Sequence, residues 1–388
     1  MKLLVVVGTR PEAIKMAPLI LALQREESVE ISVCVTGQHR EMLDQVLGLF
    51  EIVPDCDLAL MEPGQSLNGL AGNAVARLDE VYRDFEPDRV LVHGDTTTAM
   101  AAAVAAFQRQ IPVGHVEAGL RTYKLDRPWP EEFNRRAIDL VSDLLYAPTP
   151  RARLNLEQEA IEGEVFVTGN TGIDALETIA GRLNAEDELR ARVDASLPEL
   201  ARPRTLLVTG HRRESFGKGL RNICAALTQL ALRDDLDIVY PVHLNPNVRR
   251  PVEAALSNTP NVHLLPPLDF LPFVRLMQRA DLILTDSGGI QEEAPSLRKP
   301  VLVMRDVTER PEAVEAGKAR LIGTGAVRIV REVGALLDDE QTYAAFGVAG
   351  NPYGDGRASE RIVASLLGRP FEEFGGQARV APAIVRFG

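Results

Sequence analysis

Short apolar runs alternate along the chain with longer segments in which apolar side chains recur at helical spacing. The short runs are continuously apolar, which indicates strands buried on both faces of a parallel sheet. The predicted strands are Leu3–Val7, Ile31–Val35, Arg89–His93, Val113–Glu117, Leu144–Ala147, Val165–Thr168, Thr205–Thr209, Asp237–Tyr240, Asn261–Leu264, Leu282–Thr285 and Val301–Met304. Predicted helices follow them, including Glu12–Gln24, Thr97–Gln108, Leu220–Leu232 and Gly288–Leu297. Right-handed crossovers then predict doubly wound α/β sheets.

The strand series has one long interruption, the polar segment 184–204, after which it restarts. A chain of 388 residues also exceeds the usual size of a single domain. We therefore predict two Rossmann-like domains, residues 1–169 and residues 170–358. A C-terminal helix, at about 359–388, is predicted to pack back on the first domain.

The ends of the predicted strands are where a functional site is expected. In open parallel sheets, ligands bind outside the carboxyl ends of the strands. Two such sheets facing each other across an interdomain cleft would present their strand-end loops to one ligand.

The loop after the first strand places cations at a helix start. Gly8 permits a tight turn and Pro11 suits the first helical turn, so Arg10 would lie at the N-terminus and Lys15 about one turn further on. Cations there oppose the helix dipole, which favours a bound anion such as phosphate. The alternative is a solvated turn arginine and a surface lysine.

Three carboxylates follow strands or begin helices in the first half, namely Asp95, Glu117 and Glu131. Asp95 has a structural alternative as the cap of a helix that begins at Thr96. Glu131 also has a structural alternative, because the helix dipole favours an acidic residue in the first turn of a helix. Glu117, beside a glycine-containing turn, is harder to explain as structure, and the three together are typical of an acid–base set.

The second half supplies groups suited to a nucleotide. His211 follows a strand and precedes two arginines, so an anion contact and a structural role both stay open. Ser287-Gly288-Gly289 lies between a strand and a helix and predicts a nest of backbone N–H groups suited to a diphosphate. Glu293, one turn into that helix, would reach ribose hydroxyls, and Arg310 would add a cation.

Composition and missing motifs exclude several other functions. The net charge of −12 argues against nucleic acid or an anionic membrane surface as a partner. The six histidines have no metal-ligand spacing, and no Walker, GxSxG or GxGxxG motif occurs. The cysteines Cys34, Cys56 and Cys224 are far apart in sequence, which indicates a reducing compartment without disulfides. With no signal-peptide core or membrane span, we expect a cytoplasmic protein.

The motifs also occur in the order found in a known family. They are Gly8-Thr9-Arg10-Pro11-Glu12, Gly94-Asp95-Thr96, Val116-Glu117-Ala118-Gly119-Leu120-Arg121, Pro130-Glu131-Glu132-Phe133-Asn134-Arg135, Gly210-His211-Arg212-Arg213-Glu214, Asp286-Ser287-Gly288-Gly289 and Asn351-Pro352-Tyr353-Gly354-Asp355-Gly356. This ordered set resembles the bacterial non-hydrolysing UDP-N-acetylglucosamine 2-epimerases over nearly the whole chain. The resemblance implies a glycosyltransferase-B-like fold, a homodimer, and interconversion of UDP-N-acetylglucosamine and UDP-N-acetylmannosamine without a metal or nicotinamide cofactor.

The resemblance also implies roles for individual residues. In the family the C2 proton is removed and UDP leaves C1 to give 2-acetamidoglucal, after which UDP adds back and C2 is protonated on the opposite face. The implied catalytic residues are Asp95, Glu117, Glu131 and His211. The implied UDP-binding residues are Arg10, Lys15, Leu268, Phe273, Ser287, Gly288, Gly289, Glu293 and Arg310. Of these, Leu268 stands where the family often has a glutamine beside the uracil.

Several bacterial members bind a second UDP-N-acetylglucosamine as an activator. The matching positions are Gln38, His39, Gln65, Arg212 and His243. Gly64 stands where the family often has arginine, and Glu41 where it often has glutamine, so activation stays open.

Three other functions are compatible with the same features. A hydrolysing epimerase would release UDP and free N-acetylmannosamine, and a glycosyltransferase of the same fold would make a glycoside. A catalytically silent nucleotide-sugar sensor would turn over nothing, although the complete set of carboxylates and cations argues against it. The products distinguish all of them.

Overall fold

The computed structural model describes residues 1–37, 40–62, 64–212, 215–346, 350–376 and 378–380. The chain divides into two compact units, the first formed by Met1–Ala175 with Gly354–Gly388 and the second by Leu176–Tyr353. The predicted domain bounds, residues 1–169 and 170–358, remain a prediction. Within the described ranges, no helix combines the length and the hydropathy needed to cross a membrane.

The first unit is built on a parallel sheet. Its strands are β1 Lys2–Val7, β2 Glu30–Val35, β3 Cys56–Asp57, β4 Arg89–His93, β5 Val113–Val116, β6 Leu144–Ala147 and β7 Glu164–Val167. Its helices are α1 Arg10–Gln24, α2 Arg40–Leu49, α3 Leu67–Phe85, α4 Thr97–Gln108, α5 Glu131–Val141 and α6 Pro150–Gln158, and the boundary between the units falls within α7 Thr171–Ala185. The strand order is β3-β2-β1-β4-β5-β6-β7.

The second unit repeats this plan. Its strands are β8 Arg204–Thr209, β9 Leu236–Pro241, β10 Val262–Leu265, β11 Leu282–Thr285, β12 Val301–Val303 and β13 Ala319–Leu321. Its helices are α8 Asp187–Ala195, α9 Lys218–Leu230, α10 Pro246–Leu256, α11 Phe270–Arg279, α12 Gly288–Glu293, α13 Pro311–Glu315, α14 Ala326–Asp338 and α15 Glu340–Ala345. The strand order is β10-β9-β8-β11-β12-β13, again with parallel pairs.

The predicted fold class, two doubly wound α/β sheets, is confirmed. Every predicted strand occurs with bounds that differ by no more than one residue. The central strands are buried almost throughout, because helices cover both sheet faces. In the first unit α4 contributes six buried alanines, whose small side chains let α4 pack closely against α3 and α5.

Three short edge elements were not predicted, and two helix predictions were wrong in extent. The unpredicted elements are β3, β13 and a two-stranded hairpin of β14 Pro370–Glu372 and β15 Ala378–Val380. The C-terminal helix predicted over about 359–388 is only α16 Ala358–Leu366, which contacts α1 and is followed by the hairpin. The helix predicted over Gly288–Leu297 changes to a 3₁₀ turn at Ala294, where Pro295 provides no amide donor.

Two of the three cysteines lie close together in the first sheet, which the sequence analysis did not predict. Cys34 and Cys56, far apart in sequence, are register partners on β2 and β3. The two thiols interact, and this interaction together with burial raises the pKa of Cys34. The same thiol contact lowers the pKa of Cys56 to about 7. All three cysteines are free thiols.

In each sheet the order in which successive strands are added reverses once. This reversal lies between β1 and β4 in the first unit and between β8 and β11 in the second. At such a switch point the crossovers leave in opposite directions and open a crevice at the carboxyl ends of the strands. We call the residues that end or follow β1, β4 and β5 the first strand-end site. Those that follow β8, β9, β11 and β12 form the second strand-end site.

Candidate functional site

The first strand-end site begins with the turn from β1 into α1. A Cβ at Gly8 would lie 2.6 Å from Thr36 Oγ1 and closer still to Thr98 Oγ1, so only glycine fits this close approach. Thr9 caps α1 and accepts a hydrogen bond from the Glu12 amide, with Pro11 in the first turn as predicted. Arg10 is therefore the first residue of the helix, half-buried at its positive end.

Glu12 holds this turn in place. Its fully buried carboxylate accepts hydrogen bonds from the Gly8 amide at 2.9 Å and the Thr9 amide at 2.6 Å. The Thr96 hydroxyl, at the start of α4, donates to the same carboxylate at 2.6 Å. Burial raises the pKa of Glu12, and these hydrogen bonds oppose the rise. The turns after β1 and β4 are thus joined by one carboxylate.

Glu117 extends from the end of β5 with a φ of 70°, in the left-handed region that side chains other than glycine rarely adopt. Its amide and that of Ala118 both donate to the Tyr146 carbonyl, which fixes this conformation. The carboxylate forms an ion pair with Lys15 from α1 and is only 13% exposed. The structure therefore brings together Lys15 and Glu117, two residues that the sequence assigned to different roles.

His93, the last residue of β4, lies beside this ion pair. Its imidazole is 4% exposed, and Nε2 is 3.7 Å from Glu117 Oε2. Neither ring nitrogen has a hydrogen-bond partner within the described part of the chain. Burial lowers the pKa of His93 to about 3; nearby Lys15 and His115 add to this effect, and Glu117 opposes it. The ring is therefore neutral at neutral pH.

The neighbouring histidine, His115 on β5, has partners on both nitrogens. Nδ1 lies 2.6 Å from Asp139 Oδ1, and Nε2 lies 2.7 Å from the Gly94 carbonyl oxygen. Arg121 pairs with the same aspartate at 2.7 Å. This fully buried network fixes the turns after β4 and β5 to α5.

Asp95 does not cap the following helix, so that structural alternative is wrong. The cap of α4 is Thr96, which accepts from the Ala99 amide at 3.0 Å. The Asp95 carboxylate instead accepts from Arg135 Nε at 3.0 Å, and Arg135 also pairs with Glu132 at 3.4 Å. Glu132 in turn accepts from the amides of the loop that precedes α5.

Glu131 is the first residue of α5, and its Oε2 is buried with no hydrogen-bond partner among the described residues. It lies one helical turn before Arg135, the partner of Asp95, and so on the same side of α5. A position in the first turn suits both a helix-start acid and a functional carboxylate, so its two interpretations stay open.

The second strand-end site is organised by Asp286, at the end of β11. Its carboxylate accepts from the backbone amides of His211 and Arg212, both at 2.9 Å. The His211 ring stacks on His243, with ring centroids 5.8 Å apart, and stays 43% exposed. Burial lowers the pKa of His211. The nearby Arg212 and His243 lower it further, and the Asp286 carboxylate opposes this effect.

Cations and the glycine turn complete this site. Ser287-Gly288-Gly289 forms the start of α12. The Ser287 hydroxyl does not accept a capping hydrogen bond from the first backbone amides of this helix. Arg310 pairs with Glu292 on α12, and Arg212 pairs with Glu309 at 3.0 Å. A Cβ at Gly289 would lie 3.8 Å from Glu293 Oε1.

The remaining predicted positions are dispersed. Leu268 and Phe273 are half-buried, before and within α11. Gln65 precedes α3 and accepts from the Glu62 amide at 3.4 Å. Gln38, His39, Arg213 and Glu214 lie outside the described residues. In the described part of the chain, no group of three His, Cys, Asp or Glu side chains is arranged to hold a metal ion.

Sequence reasoning missed His93 and Arg135. His93 meets the criterion that selected Glu117, a polar residue at the end of an apolar strand, and precedes Gly94. Arg135 lies one turn after Glu131, but only the fold shows that it contacts Asp95. A strand-end rule applied to every polar residue would have found the histidine and not the arginine.

The chain is similar along nearly its whole length to known proteins of one family. The family described as UDP-N-acetylglucosamine 2-epimerase matches residues 21–367. A protein of that name from Escherichia coli (strain K12) is 56% identical over 369 residues, covering 94% of this chain and 98% of the relative. The crystal structure of UDP-GlcNAc 2-epimerase from Neisseria meningitidis bound to UDP-GlcNAc has a TM-score of 0.86 at 50% identity, covering 95% of this chain and 100% of that one. MurG of Acinetobacter baumannii, at 16% identity and a TM-score of 0.58, shares the fold alone.

Proposed function

Since the chain belongs to the UDP-N-acetylglucosamine 2-epimerase family, we propose that it interconverts UDP-N-acetylglucosamine and UDP-N-acetylmannosamine without hydrolysis. The observation that carries the proposal is the ion pair of Lys15 and Glu117 at the first switch point, beside a neutral histidine. A buried carboxylate next to a lysine ammonium group is suited to taking up and returning a proton.

The reaction is an elimination followed by an addition. A carboxylate takes the C2 proton, the C2–H electron pair forms the C1–C2 double bond, and UDP leaves C1 with the C1–O electron pair. The product of this step is 2-acetamidoglucal. In the second step UDP adds back to C1 while C2 receives a proton on the opposite face, which inverts C2. Asp95, Glu117 and Glu131 are the proposed acid–base set.

The charges of the first strand-end site fit these steps. Lys15 pairs with Glu117 and Arg135 pairs with Asp95, so each carboxylate has a cation beside it. Two carboxylates held by different cations, at the ends of neighbouring strands, are consistent with one acting on each face of C2. Which of them removes the first proton is left to experiment.

The second strand-end site is proposed to hold UDP. His211 with Arg310 supplies positive or donor groups, and Ser287–Gly289 supplies amides at the start of α12. Stabilising the diphosphate matters most as UDP leaves, because negative charge then develops on its oxygens. Glu293 is proposed to bind the ribose, with Leu268 and Phe273 beside the uracil, and Arg10 and Lys15 to contact the diphosphate.

Product analysis tests the proposal. Purified protein incubated with UDP-N-acetylglucosamine should give UDP-N-acetylmannosamine, with the same yield in the presence of a metal chelator and without added nicotinamide. Free N-acetylmannosamine plus UDP would indicate a hydrolysing epimerase instead. A glycoside made from an added acceptor would indicate a transferase, and unchanged substrate a sensor.

We also propose a homodimer, with a second copy covering the apolar side of α5. Phe133 and Leu140 lie on one side of this helix and are 54% and 73% exposed. Light scattering should give twice the chain mass of 42.4 kDa, and the variant Phe133→Glu/Leu140→Glu should give the chain mass alone. Val327→Glu, at an even more exposed apolar site on α14, is the control. A wild-type protein of 42.4 kDa would contradict the proposal.

Two further assignments stay predictions. The cytoplasm is the expected compartment. Activation by a second UDP-N-acetylglucosamine would involve Gln65, Arg212 and His243 among the described residues, and a sigmoidal dependence of the rate on substrate concentration would support it.

A further inference from the structure

His93 is the polar group of the first strand-end site that the proposed reaction leaves unused. Both of its ring nitrogens are buried without a hydrogen-bond partner in the described part of the chain. Buried polar atoms are nearly always paired, because they lose their hydrogen bonds to water on folding. His115 on the adjacent strand obeys this rule on both nitrogens, so an unpaired histidine is not a general feature of this sheet.

The position of His93 relates it to one carboxylate oxygen. Its Nε2 lies 3.7 Å from Glu117 Oε2, the same atom that Lys15 contacts. That distance is longer than a hydrogen bond and short enough for a small side-chain rotation to close. Glu117 is thus placed between a cation from α1 and a neutral donor from β4.

We propose that His93 is a positioning residue that donates a hydrogen bond from Nε2 to Glu117 when Lys15 turns towards the substrate diphosphate. The anionic diphosphate competes with Glu117 for the lysine ammonium, and Glu117 would then lose the contact with Lys15 at the moment it must face C2. The neutral imidazole then orients the carboxylate without the full charge that would weaken it as a base. This inference rests on the proposed function, because it assumes that Glu117 transfers a proton.

The titratable groups around His93 support a neutral donor. Lys15 from α1 and His115 from β5 disfavour a second proton on the ring, and Glu117 after β5 is the only one of the three that favours it. Burial outweighs that attraction. His93 therefore does not itself titrate in the range of a usual assay. Its replacement should shift the acidic limb of the kcat–pH profile to higher pH, because the Glu117 carboxylate loses a hydrogen bond that favours its charged form.

Two variants separate positioning from structural support. His93→Leu removes both unpaired nitrogens at similar volume, so it should unfold at the same or a higher temperature than the wild type. Its kcat should nevertheless fall roughly tenfold to 100-fold, the scale of a misplaced catalytic group, with little change in KM. His93→Gln places an amide donor near the position of Nε2 and should recover most of the lost kcat.

A double-mutant cycle with Glu117→Gln tests whether His93 acts through Glu117. In the Glu117→Gln background, His93→Leu should cause no further loss of turnover, since the group it orients is already gone. Independent, multiplying losses would overturn the inference, as would a kcat of His93→Leu within twofold of the wild type. If Glu117→Gln alone kept full activity, the proposed role of Glu117 would fail instead, so the two failures are distinguishable.

Discussion

The two strand-end sites occupy the same place in two sheets of the same topology, and they differ in how they hold charge. In the first, Glu117 and His93 are 13% and 4% exposed and lie against one another. In the second, the side chains of His211 and Arg212 keep 43% and 34% exposure, and their backbone amides donate to the buried Asp286, whose Oδ1 also lies 3.3 Å from His211 Nδ1.

This difference indicates a division of labour between the sites. Burial makes the protonation of a group depend on its immediate neighbours, which suits proton transfer. Half-exposed cations around a helix start attract an anion from water without a large desolvation cost, which suits binding. One topology therefore supports two kinds of chemistry, decided by the residues that follow the strands.

The largest expected effect comes from the carboxylates of the first site. Asp95→Asn and Glu117→Gln should each lower kcat by roughly 10²–10⁴-fold, the usual cost of losing a positioned proton-transfer group. Both variants should bind UDP as the wild type does, which calorimetric titration would check. The exposed Glu162→Gln serves as the control. Near-native turnover in both variants would remove the chemical distinction between the sites.

A smaller, broader effect is expected from the groups proposed to contact the diphosphate. Arg10→Ala and His211→Ala should weaken UDP binding by about 10- to 100-fold, the worth of a hydrogen bond to a charged group. Turnover should fall as well, because the contact strengthens as negative charge develops on the departing diphosphate. Arg25→Ala, an exposed residue after the same helix, and His263→Ala, paired with Asp237, are matched controls. If His211→Ala lowered kcat and left UDP binding unchanged, the second site would not be a simple binding site.

The smallest effect concerns Glu12, whose pKa burial raises. The stability associated with its protonated form is fully present below the unfolded value of 4.5 and is lost as the pH rises through the higher folded pKa. The free energy of unfolding of Glu12→Gln minus that of the wild type should therefore be about 1 kcal/mol larger at pH 7 than at pH 4. Urea denaturation at several pH values would measure this, with the exposed Glu27→Gln as control. A difference that does not change with pH would show that Glu12 ionises as freely as in the unfolded chain.

The sequence predicted the central strands well and the sheet edges poorly, for a physical reason. Strands such as β1 and β4 are apolar because helices cover both their faces, and that pattern is visible in the chain. β3 and β13 contain two and three residues, too few to form an apolar run, and they exist because a neighbouring strand offers its backbone groups. The pairing of Cys34 with Cys56 follows from such an edge and was equally hidden.

The site was predictable where a residue's place in the chain determines its place in the fold. Asp95 and Glu117 follow neighbouring parallel strands, so their common edge could be inferred before any side chain was placed. The partners of these carboxylates could not be inferred, because Lys15 and Arg135 reach them from helices distant in sequence. Whether Asp95 caps α4 could not be decided from the sequence either, because Asp and Thr are both preferred N-cap residues and the structure has Thr96 in that position.

The central claim, that carboxylates of the first strand-end site exchange the C2 proton with solvent, is tested most directly by NMR of the reaction in deuterated water. The account predicts deuterium at C2 of both UDP-N-acetylglucosamine and UDP-N-acetylmannosamine at equilibrium, since a carboxylate that has taken the proton exchanges it with water before returning one. Interconversion of the two UDP-sugars with the original hydrogen retained at C2 would contradict it.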